Sequence, residues 1–415
     1  MTSERHSGSP GSFRRLSRDL LRRAYPDGDR EHLDSQARVV AGEVKHALRS
    51  DGLAGRTDAH AADRRLPGRF AFIAGALGVL LGAAAGWLMA APASGVAPVA
   101  AAAVTGLSSL GIYWALLRRK QLTGVTEGVI QLSPDTLRML GTGEHTPGHG
   151  VLHYLEAKRE SDELVVLVHG LGLDATDFRA YLAETQYNAV ALTLYGFNPD
   201  DKDDEEYSPI SLESHAQLFA RAIRHLQAQH PGKRISLVGF SVGADIILML
   251  SKLAGDVLRD LQIHRVLLLD PNINRDTMVI SKRIADVDVD QPLQQFKDLL
   301  TSATSIEELR YLCSYVFKAA NKDMDQVRRH AQDIRKVWED QDGVEQFVEY
   351  LTQLTKICSG IFVLLSLGEK DLLMELRDKA FDFGLSPNNF GWSRSGHFEL
   401  LDPSFLRQQI DYLLQ

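Results

Sequence analysis

The amino-acid sequence predicts an α/β protein with a mostly parallel sheet and a helical cap insertion, preceded by a transmembrane helical hairpin. In the C-terminal two thirds, apolar strand-like segments alternate with helical segments, which is typical of a parallel α/β sheet. Upstream of them, no charged residue occurs between positions 70 and 117, a run long enough to cross a bilayer twice. The sequence therefore divides into residues 1–68, 69–120 and 121–415.

Charge and cysteine content narrow the class of protein. The 415 residues have a net charge of −8, yet residues 1–68 contain 13 Lys and Arg against 10 Asp and Glu. This asymmetry argues against a globular nucleic-acid-binding domain and for a basic arm near an anionic surface. The two cysteines, Cys313 and Cys358, are too few for a disulfide scaffold and favour a reducing cytosol around the C-terminal domain.

The basic N-terminal segment, residues 1–68, contains an amphipathic pattern. In "FRRLSRDLLRRAY" the apolar Phe13, Leu16, Leu20 and Ala24 recur at helical spacing, with arginines around them. One interpretation is a helix that rests on anionic lipid headgroups. The alternative is a loosely ordered tail, because its surroundings are rich in glycine and arginine.

The predicted transmembrane hairpin occupies residues 69–120. The uncharged run divides at "APASGVAP", so residues 70–90 and about 99–117 each approach the roughly 20 residues that cross a bilayer. Basic residues flank the run on both sides, namely Arg64, Arg65 and Arg69 before it and Arg118, Arg119 and Lys120 after it. The positive-inside rule then predicts a two-span protein of the cell membrane, with the N-terminus and the C-terminal domain in the cytoplasm. A buried Ala-rich hairpin of a soluble fold is the alternative.

The region 121–415 alternates between strand and helix patterns. The predicted strands are "ELVVLVHG", "NAVALTLY", "RISLVGF", "HRVLLLD" and "GIFVLLSLG". Helical patterns lie between them, for example at residues 212–229, and "PSFLRQQIDYLLQ" closes the chain. From about 271 to 360 the pattern is helical only, which predicts a cap inserted between two strands. The acidic "DDKDDEE" at 200–206 is interpreted as a solvated loop.

The segment "GFSVGAD", residues 239–245, places a Gly-x-Ser-x-Gly pattern between a predicted strand and a predicted helix. Such a turn is so sharp that only glycine tolerates the close backbone approach around the serine. A helix that begins there also directs its free N–H groups towards the reacting centre. Ser241 is therefore the predicted nucleophile, and a purely structural turn residue is the alternative.

A serine nucleophile needs a base and a third group that orients the base. His397, in "SGHFELLDP", follows the last predicted strand and is the predicted base. Asp371, in "LLSLGEKDLLM", is the predicted acid, since the order Ser, Asp, His is the one this architecture requires. Asp270, which ends "VLLLDP", is the main rival for the acid, and Glu369 is a weaker one.

Two further features concern the oxyanion and metal ions. "HGLG" at 169–172 follows the first strong strand, so the N–H groups of Leu171 and Val242 are predicted to bind the oxyanion, with His169 shaping the loop. Three histidines are spaced by four, at His145, His149 and His153. A proline and two glycines between them break any helix, which favours a loop without a metal. No cofactor is predicted.

Taken together, residues 125–415 resemble the α/β-hydrolase family. The resemblance extends from the His-Gly turn through the Gly-x-Ser-x-Gly elbow to the terminal Gly-His-Phe, and it implies an eight-stranded, mostly parallel sheet with a cap. The loop after "LTLYGF" departs from the family pattern and makes analogy of substrate less safe. The resemblance implies Ser241 as nucleophile, His397 as general base, Asp371 as its orienter, and Leu171 and Val242 as oxyanion donors.

The leading hypothesis is a membrane-anchored serine hydrolase of the esterase, lipase or thioesterase type, which works through an acyl-enzyme. Its expected partners are the lipid bilayer and a lipidic or acyl ester substrate, and no nucleic acid is expected. One alternative is a non-catalytic membrane interaction or signalling protein that keeps a hydrolase fold as a scaffold. Another is an effector whose lipase activity damages the membrane of its own cell.

Overall fold

The computed structural model describes residues 16–22, 34, 36–38, 40, 124–136, 150–199, 208–253, 261–287, 293–303, 305–339 and 343–415. The chain divides into two compact units, one formed by Met1–Ala54 with Thr126–Gln415 and the other by Gly55–Val125. The predicted hairpin, 69–120, and the acidic segment 200–206 lie outside the described residues. Among the helices that are described, none has the length and apolar character needed to cross a bilayer.

Eight strands form one sheet in the order β1-β2-β4-β3-β5-β6-β7-β8. They are β1 Val125–Gln131, β2 Val151–Ala157, β3 Glu163–Val168, β4 Asn188–Leu192, β5 Arg234–Phe240, β6 Ile263–Leu269, β7 Cys358–Leu365 and β8 Phe390–Trp392. Strand β2 runs antiparallel to β4, whereas the neighbouring pairs from β4 to β8 are parallel. The mostly parallel α/β sheet is thereby confirmed.

The central strands have continuous apolar sequences because helices cover both faces of a parallel sheet. All six residues of β3 and all five of β4 are buried. The helices described after residue 178 are α1 Arg179–Glu184, α2 Leu212–Gln229, α3 Val242–Met249, α4 Ser281–Ile284, α5 Leu293–Thr301, α6 Ile306–Ala319, α7 Met324–Trp338, α8 Gly343–Leu354, α9 Lys370–Asp382 and α10 Pro403–Leu414. Helix α2 has the bounds that the sequence pattern predicts.

Helices α4 to α8 lie between β6 and β7 in the sequence, which confirms the predicted helical insertion. Polar side chains on one face of α7 dock it onto the sheet-bearing part of the domain. The Gln326 amide accepts a hydrogen bond from the Ile210 N–H and donates one to the Ile210 carbonyl, at 2.8 and 2.9 Å. Farther along the helix, Asp333 accepts a hydrogen bond from the Leu212 N–H, so α7 is fixed at the start of α2.

The described N-terminal residues include a helical segment at 16–22, where the sequence pattern predicts a helix. Leu20 and Leu21 are buried there, and Arg18 Nε lies 2.7 Å from an Asp34 carboxylate oxygen. Placement of this helix on lipid headgroups stays a prediction.

Candidate active site

Ser241 lies at a sharp turn between β5 and α3. Its φ of 52° and ψ of −124° place a residue with a side chain in a region that is costly for all but glycine. A Cβ on Gly239 would lie 2.6 Å from the backbone of Ala244, and one on Gly243 would lie 2.3 Å from the Val168 carbonyl oxygen. Both flanking glycines are therefore required by close backbone approach, which is the geometry of a nucleophile elbow.

His397 begins the turn His397–Leu401 and is held by a carboxylate. Its Nδ1 lies 2.5 Å from Oδ2 of Asp270, and the other oxygen of Asp270 accepts a hydrogen bond from the Ser366 N–H at 2.7 Å. An Nδ1–H that donates to a carboxylate leaves the Nε2 lone pair available as a base. The imidazole ring also packs 4.7 Å, centroid to centroid, from Phe240, the residue before Ser241.

The predicted pairing of Asp371 with His397 is wrong, because Asp270 occupies that position. Strand β7 ends at Leu365, and the chain then forms a 3₁₀ turn and enters α9, so Asp371 is an exposed residue of the first turn of that helix. Asp270 instead follows the last residue of β6 directly, with a φ of 47°. This position brings its carboxylate between Ser366 and His397.

Glu369, the weaker rival, lies near the acid without pairing with His397. Burial, followed by repulsion from the carboxylates of Asp270 and Asp276, raises the pKa of Glu369 to about 7. Its carboxyl group is therefore partly protonated at neutral pH.

The turn at 169–172 is fixed by His169, which is fully buried. Its Nε2 accepts a hydrogen bond from the Leu194 N–H at 3.0 Å, so its Nδ1–H donates to the Gly170 carbonyl at 2.8 Å. Burial lowers the pKa of His169 to about 4, and the ring is neutral at neutral pH. His169 therefore shapes the loop, as predicted.

This turn, 169–172, lies directly against the elbow. A Cβ on Gly170 would lie 3.1 Å from Cβ of Ser241, so Leu171 follows a residue in contact with the nucleophile. Val242 is the first residue of α3, where a backbone N–H has no partner within the helix. The use of the Leu171 and Val242 N–H groups by an oxyanion stays a prediction.

The loop that departs from the family pattern packs beneath the same turn. Phe197 is buried and lies 5.3 Å from the His169 ring and 5.1 Å from the His330 ring. His215 donates from Nε2 to the Tyr195 carbonyl at 2.9 Å, and His330 Nε2 lies 2.7 Å from His215 Nδ1. Burial lowers the pKa of His215 to about 4. Sequence reasoning missed this cluster, since histidines distant in sequence give no local pattern.

The cap contacts the 169–172 turn through the end of α6. Gly172 has a φ of +71°, and a Cβ there would lie 2.8 Å from Cβ of Ala319. Just beyond the turn, the buried ammonium of Lys322 pairs with the Asp174 carboxylate. Burial opposes ionisation of Asp174, but the charge of Lys322 and hydrogen bonds from Lys322 and Thr176 outweigh it, so the pKa of Asp174 lies well below its usual range.

A cavity of about 290 Å³ is lined by residues that neighbour the candidate site in sequence. We call residues 169–172 the oxyanion turn, because they are predicted to bind an oxyanion. The cavity is lined by Leu173, which follows this turn, and by Phe398, which follows His397, but not by Ser241 or His397. The Phe398 ring lies 5.1 Å from that of His397 and 5.5 Å from that of Tyr315 in α6. Its lining therefore comes from α6 of the cap, from the segment after the 169–172 turn and from the segment after His397.

Metal-ligating groups do not converge within the described ranges, where no cluster of three His, Cys, Asp or Glu side chains has the arrangement of a metal site. His153 belongs to β2, and His145 and His149 lie outside the described residues. Neither Cys313 nor Cys358 forms a disulfide.

Comparison with known proteins agrees with this arrangement. The model of the family described as "Alpha/beta hydrolase family" matches residues 165–405. The chain belongs to the alpha/beta hydrolase family. The matched region begins in β3 and includes Ser241, Asp270 and His397, so this alpha/beta hydrolase contains the whole candidate site within the family segment.

Several solved structures are similar to this chain at low sequence identity. A membrane phospholipase A, described as a bacterial virulence factor, is 17% identical, with 76% of this chain and 94% of that one covered and a TM-score of 0.47. A thermophilic esterase from Thermogutta terrifontis is 16% identical, with 70% and 98% covered and a TM-score of 0.45. A 1H-3-hydroxy-4-oxoquinoline 2,4-dioxygenase is 13% identical, with 69% and 100% covered and a TM-score of 0.47. No curated protein sequence matches the chain.

Proposed function

We propose that this alpha/beta hydrolase is a membrane-anchored serine hydrolase that cleaves carboxylic ester or thioester bonds through an acyl-enzyme. The main support is the hydrogen bond from His397 Nδ1 to Asp270 Oδ2, formed beside the elbow that bears Ser241. Because one fold hosts many chemistries, the proposal depends on these residues and not on fold alone.

The proposed reaction assigns one role to each of these groups. His397 Nε2 removes the Ser241 hydroxyl proton as Oγ attacks the carbonyl carbon, and the carbonyl oxygen becomes an oxyanion. The N–H groups of Leu171 and Val242 donate hydrogen bonds to it. When the tetrahedral intermediate collapses, the bond to the alcohol or thiol breaks, and His397 returns the proton to that leaving group. Water then attacks the acyl-enzyme by the same steps and releases the carboxylic acid.

Asp270 has a supporting role in this reaction. Its carboxylate keeps the proton of His397 on Nδ1 and stabilises the imidazolium that forms when Nε2 takes the serine proton. Serine rather than aspartate at position 241 also separates this site from enzymes of the fold that attack with a carboxylate, such as dehalogenases and epoxide hydrolases.

The membrane anchor in this proposal is supported by the uncharged run at 70–117 and the basic residues on both sides of it. It would keep the hydrolase domain at the cytoplasmic face of the cell membrane. A lipidic substrate would then be close to Ser241 at high local concentration.

Labelling with a fluorophosphonate tests the nucleophile. We expect the wild type to react at Ser241, and we expect Ser241→Ala to lose both labelling and ester hydrolysis. Ser251→Ala is the matched control, because Ser251 follows α3 and its hydroxyl donates to the Leu248 carbonyl at 2.6 Å. That control should be labelled like the wild type. Equal labelling of Ser241→Ala would exclude the proposed mechanism.

A further inference from the structure

Tyr315 of α6 has a buried hydroxyl that no group among the described residues satisfies. The side chain is 2% exposed, and its hydroxyl oxygen has no hydrogen-bond partner among the described residues. Burial raises the pKa of this phenol, so it is a neutral donor. Buried tyrosine hydroxyls usually find a partner because an unpaired one costs free energy. This hydroxyl is therefore a buried donor without a partner among the described residues.

The surroundings of the Tyr315 hydroxyl belong to the candidate site. Tyr315 lines the cavity together with Leu173 and Phe398. Its hydroxyl oxygen lies 3.3 Å from the position that a Cβ on Gly172 would occupy. Gly172 is part of the turn whose N–H groups are proposed to bind the carbonyl oxygen of the ester. The unpaired donor thus lies near Gly172, on a side chain that also lines the cavity.

The rest of the cavity lining is mixed in polarity. Besides aromatic and aliphatic side chains, the lining includes charged and hydroxyl side chains. These are Asp177, Ser314, Lys318 and Asp402. Lys318 and Asp177 form an ion pair with each other. A channel for a plain alkyl chain would avoid such groups, because burying them against hydrocarbon costs free energy.

We propose that Tyr315 is a specificity-determining residue that donates a hydrogen bond to an oxygen atom in the acyl chain of the substrate. The preferred substrate class is then an ester of an oxygenated acyl group rather than of a saturated alkyl chain. In the proposed reaction His397 protonates the leaving group, whereas the Tyr315 hydroxyl lies near Gly172 of the oxyanion turn. We therefore assign the acyl chain of the substrate to the cavity. This inference rests on the proposed serine hydrolase function.

The test compares three p-nitrophenyl esters whose acyl chains are nearly isosteric. These are the valerate, the ethoxyacetate and the 3-methoxypropanoate, in which an ether oxygen replaces one or another methylene. The measured quantity is kcat/KM for each ether ester relative to that for the valerate. In Tyr315→Phe we expect this ratio to fall about fivefold to tenfold for at least one ether ester, the effect of one lost hydrogen bond.

Tyr181→Phe is the matched control. Tyr181 is also buried, but its hydroxyl has a partner in Thr185, 3.1 Å away, and it is not among the lining residues of the cavity. This variant should keep the wild-type ratio and lose thermal stability. Tyr315→Phe should keep or gain thermal stability, since it removes an unpaired buried hydroxyl. A purely structural role for Tyr315 would give the opposite result.

The remaining outcomes of the test distinguish failure of the Tyr315 inference from failure of the proposed serine hydrolase function. An unchanged ratio in Tyr315→Phe overturns the inference, as does an equal loss of kcat/KM on all three esters. If fluorophosphonate labels Ser241 but none of the three esters is hydrolysed, the assignment of an oxygenated acyl chain to the cavity is also wrong. Failure of the proposed function is recognised separately, by labelling or hydrolysis that persists in Ser241→Ala.

Discussion

The carboxylate of Asp270 has one hydrogen bond to each oxygen, from Ser366 and from His397. Asparagine at this position would keep the shape of the side chain but would offer an N–H₂ group to one of these two donors. The ring of His397 would then lose its orientation or its proton on Nδ1. The substitution Asp270→Asn, which replaces one oxygen atom by an NH₂ group, therefore tests whether Asp270 is the acid that orients His397.

We expect Asp270→Asn to lower kcat by roughly 10³-fold to 10⁴-fold, the size of effect seen when a triad carboxylate is replaced by an amide. Asp371→Asn should leave kcat near the wild-type value, because Asp371 is an exposed residue of α9. Steady-state hydrolysis of a short-chain p-nitrophenyl ester measures both. The assignment of Asp270 fails if Asp371→Asn is the more damaging substitution.

Asp245, four residues after the nucleophile in α3, is fully buried. It accepts a hydrogen bond of 2.6 Å from the Asn272 amide. Burial nevertheless disfavours its charged form and raises its pKa to about 8. The folded protein therefore holds a proton that the unfolded chain releases at a much lower pH.

This difference predicts that stability falls as pH rises. Between the unfolded pKa of Asp245, near 3.8, and the folded value of about 8, the folded state binds more protons, so unfolding becomes easier with increasing pH. In the window from about pH 5 to about pH 7, we expect the wild type to lose about 1 kcal/mol of unfolding free energy per pH unit relative to Asp245→Asn. Urea unfolding of both proteins across this window measures the difference. Parallel pH profiles would contradict the prediction.

At the scale of elements, the cap is docked onto the sheet-bearing part of the domain by buried polar groups. The Lys322 ammonium contacts Asp174 next to the oxyanion turn, and Gln326 binds both backbone groups of Ile210. Lys322 has 2% of its side chain exposed, whereas Lys318, which pairs with Asp177, has 32%. Comparing these two lysines therefore shows how much burial of an ion pair contributes to the free energy of unfolding.

Lys322→Met removes the buried cation and leaves Asp174 without its partner. We expect a loss of about 3–5 kcal/mol in unfolding free energy, as is typical when one partner of a buried ion pair is removed. Lys318→Met should cost about 1 kcal/mol or less, because solvent screens a partly exposed pair. Urea unfolding compares the two variants. Similar losses for both would show that burial of Lys322 does not control docking of the cap.

At the scale of the whole molecule, the proposed anchor and the hydrolase domain are separable in experiment. We expect the full chain to stay in the membrane pellet after alkaline washing, because a spanning helix is held by apolar burial and not by charge. A variant without residues 69–120 should move to the supernatant while Ser241 still reacts with fluorophosphonate. Full-length Ser241→Ala is the control and should remain in the pellet. A full chain that washes off the membrane would contradict the anchor.

Much of the fold could be predicted because local sequence encodes it. The apolar runs of β3 and β5 give buried parallel strands, and the helical periodicity from Leu212–Gln229 gives α2 with the observed bounds. The elbow at Ser241 was also predictable, since the close contacts at Gly239 and Gly243 require glycine. The loop-shaping role of His169 was predictable as well, because the turn that His169 fixes comes directly after a strand.

The choice of acid depended on which groups meet in space. Asp270 and Asp371 follow β6 and β7, which are neighbours in the sheet, and either one satisfies the order Ser, Asp, His. The sequence alone could not decide between them, because the decision depends on where each strand ends and on which carboxylate then reaches His397. Lys322 and Tyr315 were missed for a related reason, since nothing in the local pattern distinguishes a buried lysine or tyrosine from an exposed one.

The sequence by itself determined the parallel sheet, the inserted helices and the sharp turn at Ser241, because hydrophobic periodicity and glycine geometry act over a few residues. Only the tertiary structure decided that Asp270 pairs with His397, that Lys322 of the cap pairs with Asp174 next to the 169–172 turn, and that the hydroxyl of Tyr315 has no partner among the described residues. These three facts depend on contacts between residues far apart in the chain. Such contacts form only when strands and helices have packed, so no short stretch of sequence specifies them.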